Sequence, residues 1–406
     1  MKRTRLAGID VGTTKVCTIM ADTDGSSGSS GSSRPRILGI GVVPSQGLHK
    51  GLVVNFDEAK QSIRESVRKA EEIAGYKLES AFVGVTGRHI SSSNNRGVVA
   101  ITRNDRMVHP GDLRRVLDVA RSVKVPSDHR LLHVIPRTYA VDGQEGVNNP
   151  VGMHGFRLDV ETHIITAAVT SVQNLTKCIR SLGIDIDDLV LEPLASAEAV
   201  LSEDEKQNGV ILADIGGGTT DIAVFKDNSI YHTAVLPVAG YQVSRDISIG
   251  LNVSFELAEE LKKKYGNVTP INERSGADRT LNEDGHTVSY STLWEIIRIR
   301  IEELLRLIAL ELPRSEYAKL VPSGLVLTGG TANLPGIAEL GQEITRLPVR
   351  IGTPTQLYGV ADTLSDPAYA TGVGLLLWKG KSEGTQGWET KSGLRRFISR
   401  VFRIFR

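Results

Sequence analysis

Residues 213–225 read ADIGGGTTDIAVF, and residues 9–20, near the amino terminus, read IDVGTTKVCTIM. In each stretch an apolar strand delivers an aspartate, Asp10 or Asp214, to its end. A glycine-rich turn with adjacent threonines follows, and then a second apolar run. The chain starts the same hairpin twice, which predicts a duplicated domain whose two copies face one another across a cleft. The residue types suit a phosphate clamp. Gly12 in one turn and Gly216, Gly217 and Gly218 in the other let backbone N–H groups approach phosphate oxygens with no Cβ in the way. Thr13, Thr14, Thr219 and Thr220 can add hydroxyl donors, and Lys15 supplies a point charge for a β- or γ-phosphate. Asp10 and Asp214 are hard oxygen ligands suited to Mg²⁺, held partly through water. A single turn of this kind is more often plain architecture, whereas two are hard to dismiss. A third element, VLTGGTANLPG at 326–336, has a strand, then Gly329 and Gly330, then a helix start, which suits a backbone passing under an adenosine or α-phosphate.

Outward from these turns, Ser/Gly-rich residues 25–33 separate the first repeat from a strand predicted at 36–43. Over 57–75, Ile63, Val67, Ala70 and Ile73 share a helical face that Gly75 ends. A strand is predicted at 81–85. The texture then changes to short strands and one helix at 111–123, ending in the turn-rich GQEGVNNPVG of 143–152. Residues 81–160 are therefore expected to form a small α+β inserted domain. A strand at 163–169, a helix at 171–182 and a strand at 187–191 restore α/β alternation. In the second repeat, residues 242–300 read as an insertion with a helix at 255–264 and a polar loop at 266–288. A helix at 292–311 and a strand at 324–328 close it. The expected plan is a first lobe of 1–80, 161–206 and 358–378, and a second lobe of 207–241 and 301–357.

Composition narrows the class. Of 406 residues, 40% are hydrophobic and 23% charged, as in ordinary globular proteins. Cys17 and Cys178 stand far apart and read as core residues, so neither a disulfide framework nor a zinc motif is expected. The nine histidines show no ligand spacing for a transition metal. No stretch approaches the roughly 20 apolar residues needed to span a bilayer, and Asp10 interrupts the first apolar run before a signal-peptide core can form. The expected setting is a reducing cytoplasm. The net charge of +1 hides five arginines in residues 394–406, so the rest of the chain is mildly acidic, which argues against nucleic acid as a partner.

Two further segments, VTGRHISS at 85–92 and HVIPRTYAVDGQEGVNNPVGMHG at 133–155, complete a resemblance. With the three phosphate elements, the chain resembles the actin, DnaK-chaperone and sugar-kinase superfamily and, within it, the FtsA family of bacterial cell-division actin homologues. The phosphate turns are shared by the superfamily, and the two latter segments are specific to the family's inserted domain. The resemblance covers nearly the whole chain. It implies an α/β, actin-like, duplicated (ribonuclease-H-like) two-lobed ATPase fold that binds ATP with Mg²⁺ and has at most weak ATPase activity. LEPLASAEAVL at 191–201 is similar to the segment that carries an acidic or amide group near the attacking water in actin-like relatives, which nominates Glu192 as the catalytic residue. AEELK at 258–262 resembles a stretch that touches ribose and adenine, nominating Glu259 and Lys262. The plainer reading of those two is solvated charges on a helix.

The last thirteen residues form a separate device. At 100° per residue, Leu394, Phe397, Ile398, Val401, Phe402, Ile404 and Phe405 fall within an arc of about 160°. All five arginines, Arg396, Arg400 and Arg403 among them, fall on the other side. Such a stripe more often packs on its own protein. Here, however, it follows a polar, glycine-bearing tether at 379–393, and its length of about 20 Å suits lying in a headgroup plane. Residues 394–406 are expected to be an amphipathic helix on an anionic membrane surface. The resemblance further implies a homopolymer on the inner face of the plasma membrane that tethers the FtsZ ring. It places the FtsZ C-terminal peptide on the 242–300 insertion and assigns subunit contacts and later division proteins to the inserted domain. The rival readings are a pilus-assembly actin homologue and a small-molecule kinase of the same superfamily.

Overall fold

The computed structural model describes residues 4–23, 35–270, 279–311, 320–355, 358–359 and 362–378. The tether at 379–393 and the amphipathic segment at 394–406 lie outside the described residues.

Strand β1 (Thr4–Val11) ends in five consecutive buried residues, the mark of a central strand covered on both faces. It pairs antiparallel with β2 (Lys15–Thr23), which pairs antiparallel with β3 (Arg36–Pro44). Helix α1 (Phe56–Ala74) covers this meander. Its first N–H groups are capped by the Asn55 side chain, which accepts from the amides of Asp57 and Glu58, and it ends at the left-handed Gly75. Ile63, Val67 and Ala70 are buried as predicted, but Ile73 is 59% exposed. It sits about 80° round the helix from Ile63, at the margin of the stripe.

Strand β4 (Ser80–Val85) pairs in parallel with β1, Gly8 opposite Phe82. It is thus a central strand of the first sheet and not the opening of the insertion, which corrects the boundary expected at 81. The insertion is built from β5 (Ile90–Ala100), α2 (Pro110–Arg121), β6 (His129–Val141), β7 (Gln144–Val147) and β8 (Arg157–Ala168). Residues Ser93–Ala167 form a separate compact unit with the sheet order β5-β8-β6-β7. Ile101, Val116, Leu117, Leu158 and Val160 form its own core. The strand predicted at 163–169 is the end of β8 and belongs to this sheet, so the upper boundary moves as well.

The first sheet resumes after α3 (Val169–Arg180) with β9 (Asp185–Leu191), parallel to β4, and α4 (Glu192–Val200) follows. The second copy then begins with β10 (Val210–Ile215), β11 (Thr220–Lys226) and β12 (Ser229–Leu236). Its helices are α5 (Gly240–Leu251), α6 (Phe255–Tyr265) and, after the hairpin β13 (Thr280–Glu283) and β14 (His286–Ser289), α7 (Tyr290–Leu310). That hairpin occupies the segment expected to be a polar loop. Its turn is Asp284-Gly285, both at positive φ, a pair that matches the twist of a two-residue hairpin. The boundary expected between 300 and 301 falls inside α7. Leu293, Ile297, Ile301 and Leu304 pack along that helix into one core with Ile211, Ile222 and Val243, so α5 to α7 are part of the lobe's core.

Strand β15 (Leu325–Thr328), helix α8 (Ile337–Thr345) and strand β16 (Val349–Ile351) complete the second sheet, and α9 (Ala370–Leu377) returns to the first lobe. The two large sheets have the same plan. The first runs β3-β2-β1-β4-β9, with the short strand Tyr358–Gly359 added in parallel beside β3, and the second runs β12-β11-β10-β15-β16. In both, an antiparallel meander of three strands is extended by two parallel strands. This is the duplication anticipated from the two hairpins.

Candidate functional site

The corresponding turns of the two copies close in the same way. Gly12 N–H donates to the Lys15 carbonyl at 3.0 Å, and Gly216 N–H donates to the Thr219 carbonyl at 2.9 Å. The turns face one another at one end of a cavity of about 430 Å³. A Cβ on Gly217 would lie 2.2 Å from Thr14 Cγ2, and one on Gly218 would lie 2.4 Å from Thr13 Oγ1. Glycine is required there because the opposite turn occupies the space a side chain would need.

The cavity brings together Asp10, Gly12, Thr13, Thr14, Lys15, Glu192, Asp214, Gly216, Gly217, Gly218, Thr219, Glu259, Lys262, Gly329 and Gly330. Thr220 is not among them. It is buried, and its hydroxyl donates to the Val238 carbonyl at 2.7 Å, because strand alternation turns it away from its neighbour Thr219. Thr219 lines the cavity but donates its own hydroxyl to Asp221 at 2.9 Å. Gly329, at φ +85°, and Gly330 open a short 3₁₀ turn, Gly330–Asn333, and not the α-helix expected to follow them directly. Helix α8 begins only after Pro335.

Each of the four carboxyl groups here is held by a different element. Asp10 and Asp214 are the penultimate residues of β1 and β10, and Glu192 opens α4. Asp221 lies on β11 directly opposite Asp214 in the hairpin register. All four are buried. Burial pushes the Asp10 carboxyl up to about 6, with Lys15 opposing and Asp214 adding to the rise. Burial pushes Asp221 up to about 7, against a hydrogen bond from Thr86 and helped by the charge of Asp214. Glu192 is raised well above the ordinary range by burial and then by the charges of Asp10, Asp221 and Asp214. Asp214 is also raised by burial, against hydrogen bonds from Ser196 and Thr371 and the charge of Lys15. Lys15 donates to the Ala368 carbonyl, and its ammonium lies 4.9 Å from the centre of the Tyr369 ring. Four carboxyls raised by burial and by one another, with Lys15 opposing the rise, suit a positively charged ligand component.

Also lining the cavity, Lys262 donates to Glu259 at 2.6 Å and to the Gly240 carbonyl at 3.1 Å. Ser244 also donates to Glu259. These bonds and the neighbouring ammonium groups outweigh burial and hold the Glu259 carboxyl below its ordinary range. Both side chains are mostly covered, so the plainer reading of solvated helix charges does not describe them. Asn333, Leu334 and Pro335 supply the less polar wall.

Sequence reasoning passed over Asp221, Thr86, Ser196 and Thr371. Two had a signal. Asp221 falls within the same quoted hairpin as Asp214, and Ser196 lies one helical turn after Glu192 on the same face. Thr86 and Thr371 had none, since only the fold brings them to the cluster. Among the described residues, no group of three or more His, Cys, Asp or Glu is arranged to hold a metal ion unaided, and no helix is long and apolar enough to cross a membrane.

Comparison with known proteins agrees with this architecture. The family model described as cell division protein FtsA matches residues 211–374, and that of the SHS2 domain inserted in FtsA matches residues 87–166. The chain is 44% identical to the cell division protein FtsA of Pseudomonas aeruginosa, over 92% of this chain and 88% of that one. It is 39% identical to that of Neisseria meningitidis, over 93% and 90%. Among solved structures, a PilM–PilN type IV pilus biogenesis complex matches with a TM-score of 0.66 at 17% identity, over 93% of this chain and 98% of that one. MreB5 of Spiroplasma citri bound to AMPPNP matches with a TM-score of 0.54 at 14% identity, over 99% and 100%. At those identities the structures establish the actin-like two-lobed α/β fold and nothing finer.

Proposed function

Because the chain belongs to the FtsA family of cell-division proteins, we propose that it binds ATP with Mg²⁺ in the inter-lobe cavity, polymerises on the cytoplasmic face of the plasma membrane and tethers the FtsZ ring there. The observation that carries the nucleotide reading is the pair of matching glycine turns opposed across a cavity that also holds four buried carboxyls. The backbone amides of 12–14 and 216–218 are the groups that would grip the phosphates, with Lys15 exchanging the Ala368 carbonyl for a phosphate oxygen. Asp10 and Asp214, with Asp221 beside them, would hold Mg²⁺ partly through its waters. The lack of a closed all-protein ligand set among the described residues suits this ion, which takes phosphates and water for most of its shell. When bound, the metal would neutralise phosphate charge. Glu192 would orient an attacking water, and Glu259 and Lys262 would meet the ribose and adenine.

Membrane attachment rests on the sequence pattern of residues 394–406. The polymer, the FtsZ C-terminal peptide on the region of 242–300 and the later division proteins rest on family membership. The MreB5 structure was solved with AMPPNP, which lends the nucleotide reading support from a protein of the same fold. Family identity at 39–44% over nine-tenths of the chain weighs against the pilus-assembly and small-molecule-kinase readings.

Titration with a fluorescent ATP analogue tests the central claim. The wild-type chain is expected to bind, and a folded Asp214→Ala variant is expected to lose binding. Equal affinity in the two would move the site elsewhere.

A further inference from the structure

Asp214 belongs to β10 of the second lobe, and its carboxylate accepts hydrogen bonds from two helices outside that sheet, α4 and α9. Ser196 Oγ, on α4, donates to Asp214 Oδ2 at 2.6 Å, and Thr371 Oγ1, on α9, donates to the same oxygen at 3.0 Å. The two hydroxyls lie 3.0 Å from each other and are buried. Their meeting is built into the helix crossing. A Cβ on Gly374 would fall 1.8 Å from the Ala195 carbonyl oxygen, so α4 and α9 touch backbone to backbone beside Ser196 and Thr371.

We infer that Ser196 and Thr371 are positioning residues for Asp214: together they hold its Oδ2 and so leave its Oδ1 as the oxygen offered to the metal. The inference rests on the proposed binding of ATP with Mg²⁺. Two hydroxyl protons serve three close contacts, and an ionised Oδ2 draws both protons to itself because a charged acceptor outcompetes a neutral hydroxyl. The protein's own bonds are then concentrated on one oxygen. The other, Oδ1, lies against Gly329, where a Cβ would come within 2.4 Å, and Gly329 lines the cavity.

A structural role for two buried hydroxyls predicts a general loss of stability. A positioning role predicts a loss confined to the metal-dependent part of binding. The test measures ATP affinity of the full chain in Mg²⁺ and in EDTA, with a thermal melt, for wild type, Ser196→Ala, Thr371→Val, the double variant and Thr371→Ser. Thr371→Val and the double variant are expected to weaken binding in Mg²⁺ by roughly 10–100-fold, the usual effect of removing a partner that orients a metal ligand. In EDTA their affinity should change by less than about threefold. Thr371→Ser keeps the hydroxyl and should bind as wild type does. Equal losses in the two buffers, a Thr371→Ser variant as weak as Thr371→Val, or a double variant with wild-type Mg²⁺ dependence would each overturn the inference. If the double variant does not melt cooperatively, the near-isosteric Thr371→Val against Thr371→Ser decides. A wild-type chain that binds ATP in neither buffer overturns the nucleotide reading and this inference with it, whereas wild-type binding whose Mg²⁺ dependence the variants share overturns the inference alone.

Discussion

Replacing Gly217 with alanine tests whether the two turns must meet. The added Cβ would stand 2.2 Å from Thr14 Cγ2 and 2.9 Å from Thr14 Oγ1. Carbon atoms prefer about 3.5–4.0 Å, so the turns must separate by more than about 1 Å. Displacing phosphate-gripping groups by that distance costs on the order of 100-fold, or about 2.7 kcal/mol of binding free energy. Gly216→Ala is the control. Its Cβ would meet no protein atom closer than the Thr219 carbonyl at 3.2 Å, which a shift of a few tenths of an ångström relieves, so it does not prise the turns apart and affinity should fall less than in Gly217→Ala. The clash partner can also be trimmed. Thr14→Ser removes Cγ2, so the double variant Gly217→Ala/Thr14→Ser should recover at least about tenfold of the loss, a non-additivity expected only of groups in contact. Equilibrium titration with a fluorescent ATP analogue reads all five proteins, the Thr14→Ser single variant among them, and a circular dichroism melt establishes that each is folded. A Gly217→Ala variant within threefold of wild type, or no recovery from Thr14→Ser, would refute the argument that the turns clamp a ligand between them.

Glu192→Gln should lower any ATPase rate more than it lowers ATP affinity, and a parallel fall in single-turnover rate and affinity would make Glu192 a binding or structural residue. The pH dependence of stability has a definite sign. Asp10 and Asp221 titrate at about 6 and about 7 in the folded protein against an ordinary 3.8, so the fold binds their protons more tightly than the unfolded chain. Stability of the nucleotide-free protein should be greatest below about pH 4 with respect to these groups and should fall as pH rises to about 7, by on the order of 3 kcal/mol for Asp10 alone. Thermal melts from pH 5 to 8 check this, with Asp10→Asn expected to flatten the slope. Phe397→Asp with Phe402→Asp should abolish liposome pelleting at any salt. Replacing Arg396, Arg400 and Arg403 with Gln should weaken it mainly on anionic vesicles at low salt, with ATP binding kept in both.

The hairpin pair at 9–20 and 213–225 made the duplication legible before any coordinates, because a strand, an aspartate and a glycine turn are contiguous in the chain. Local pattern gives way where it competes with long-range pairing. Residues 81–85 read as a strand, but which sheet they join is decided by a partner some seventy residues earlier, so the insertion begins later than local pattern suggests. The DG turn at 284–285 carried a hairpin signal that the polar composition around it masked.

The sequence by itself determined the repeat, the two phosphate turns, the family and the amphipathic stripe of residues 394–406, all of which are periodicities or motifs written in adjacent residues. Only the tertiary structure decided that Thr220 faces away, that Asp221 joins the carboxyl cluster from across its hairpin, and that Thr86, Ser196 and Thr371 bond to the second-lobe aspartates. The physical reason is separation. Thr371 and Asp214 are 157 residues apart, and Thr86 and Asp221 are 135 apart, so each bond forms only when two independently packed sheets are brought face to face.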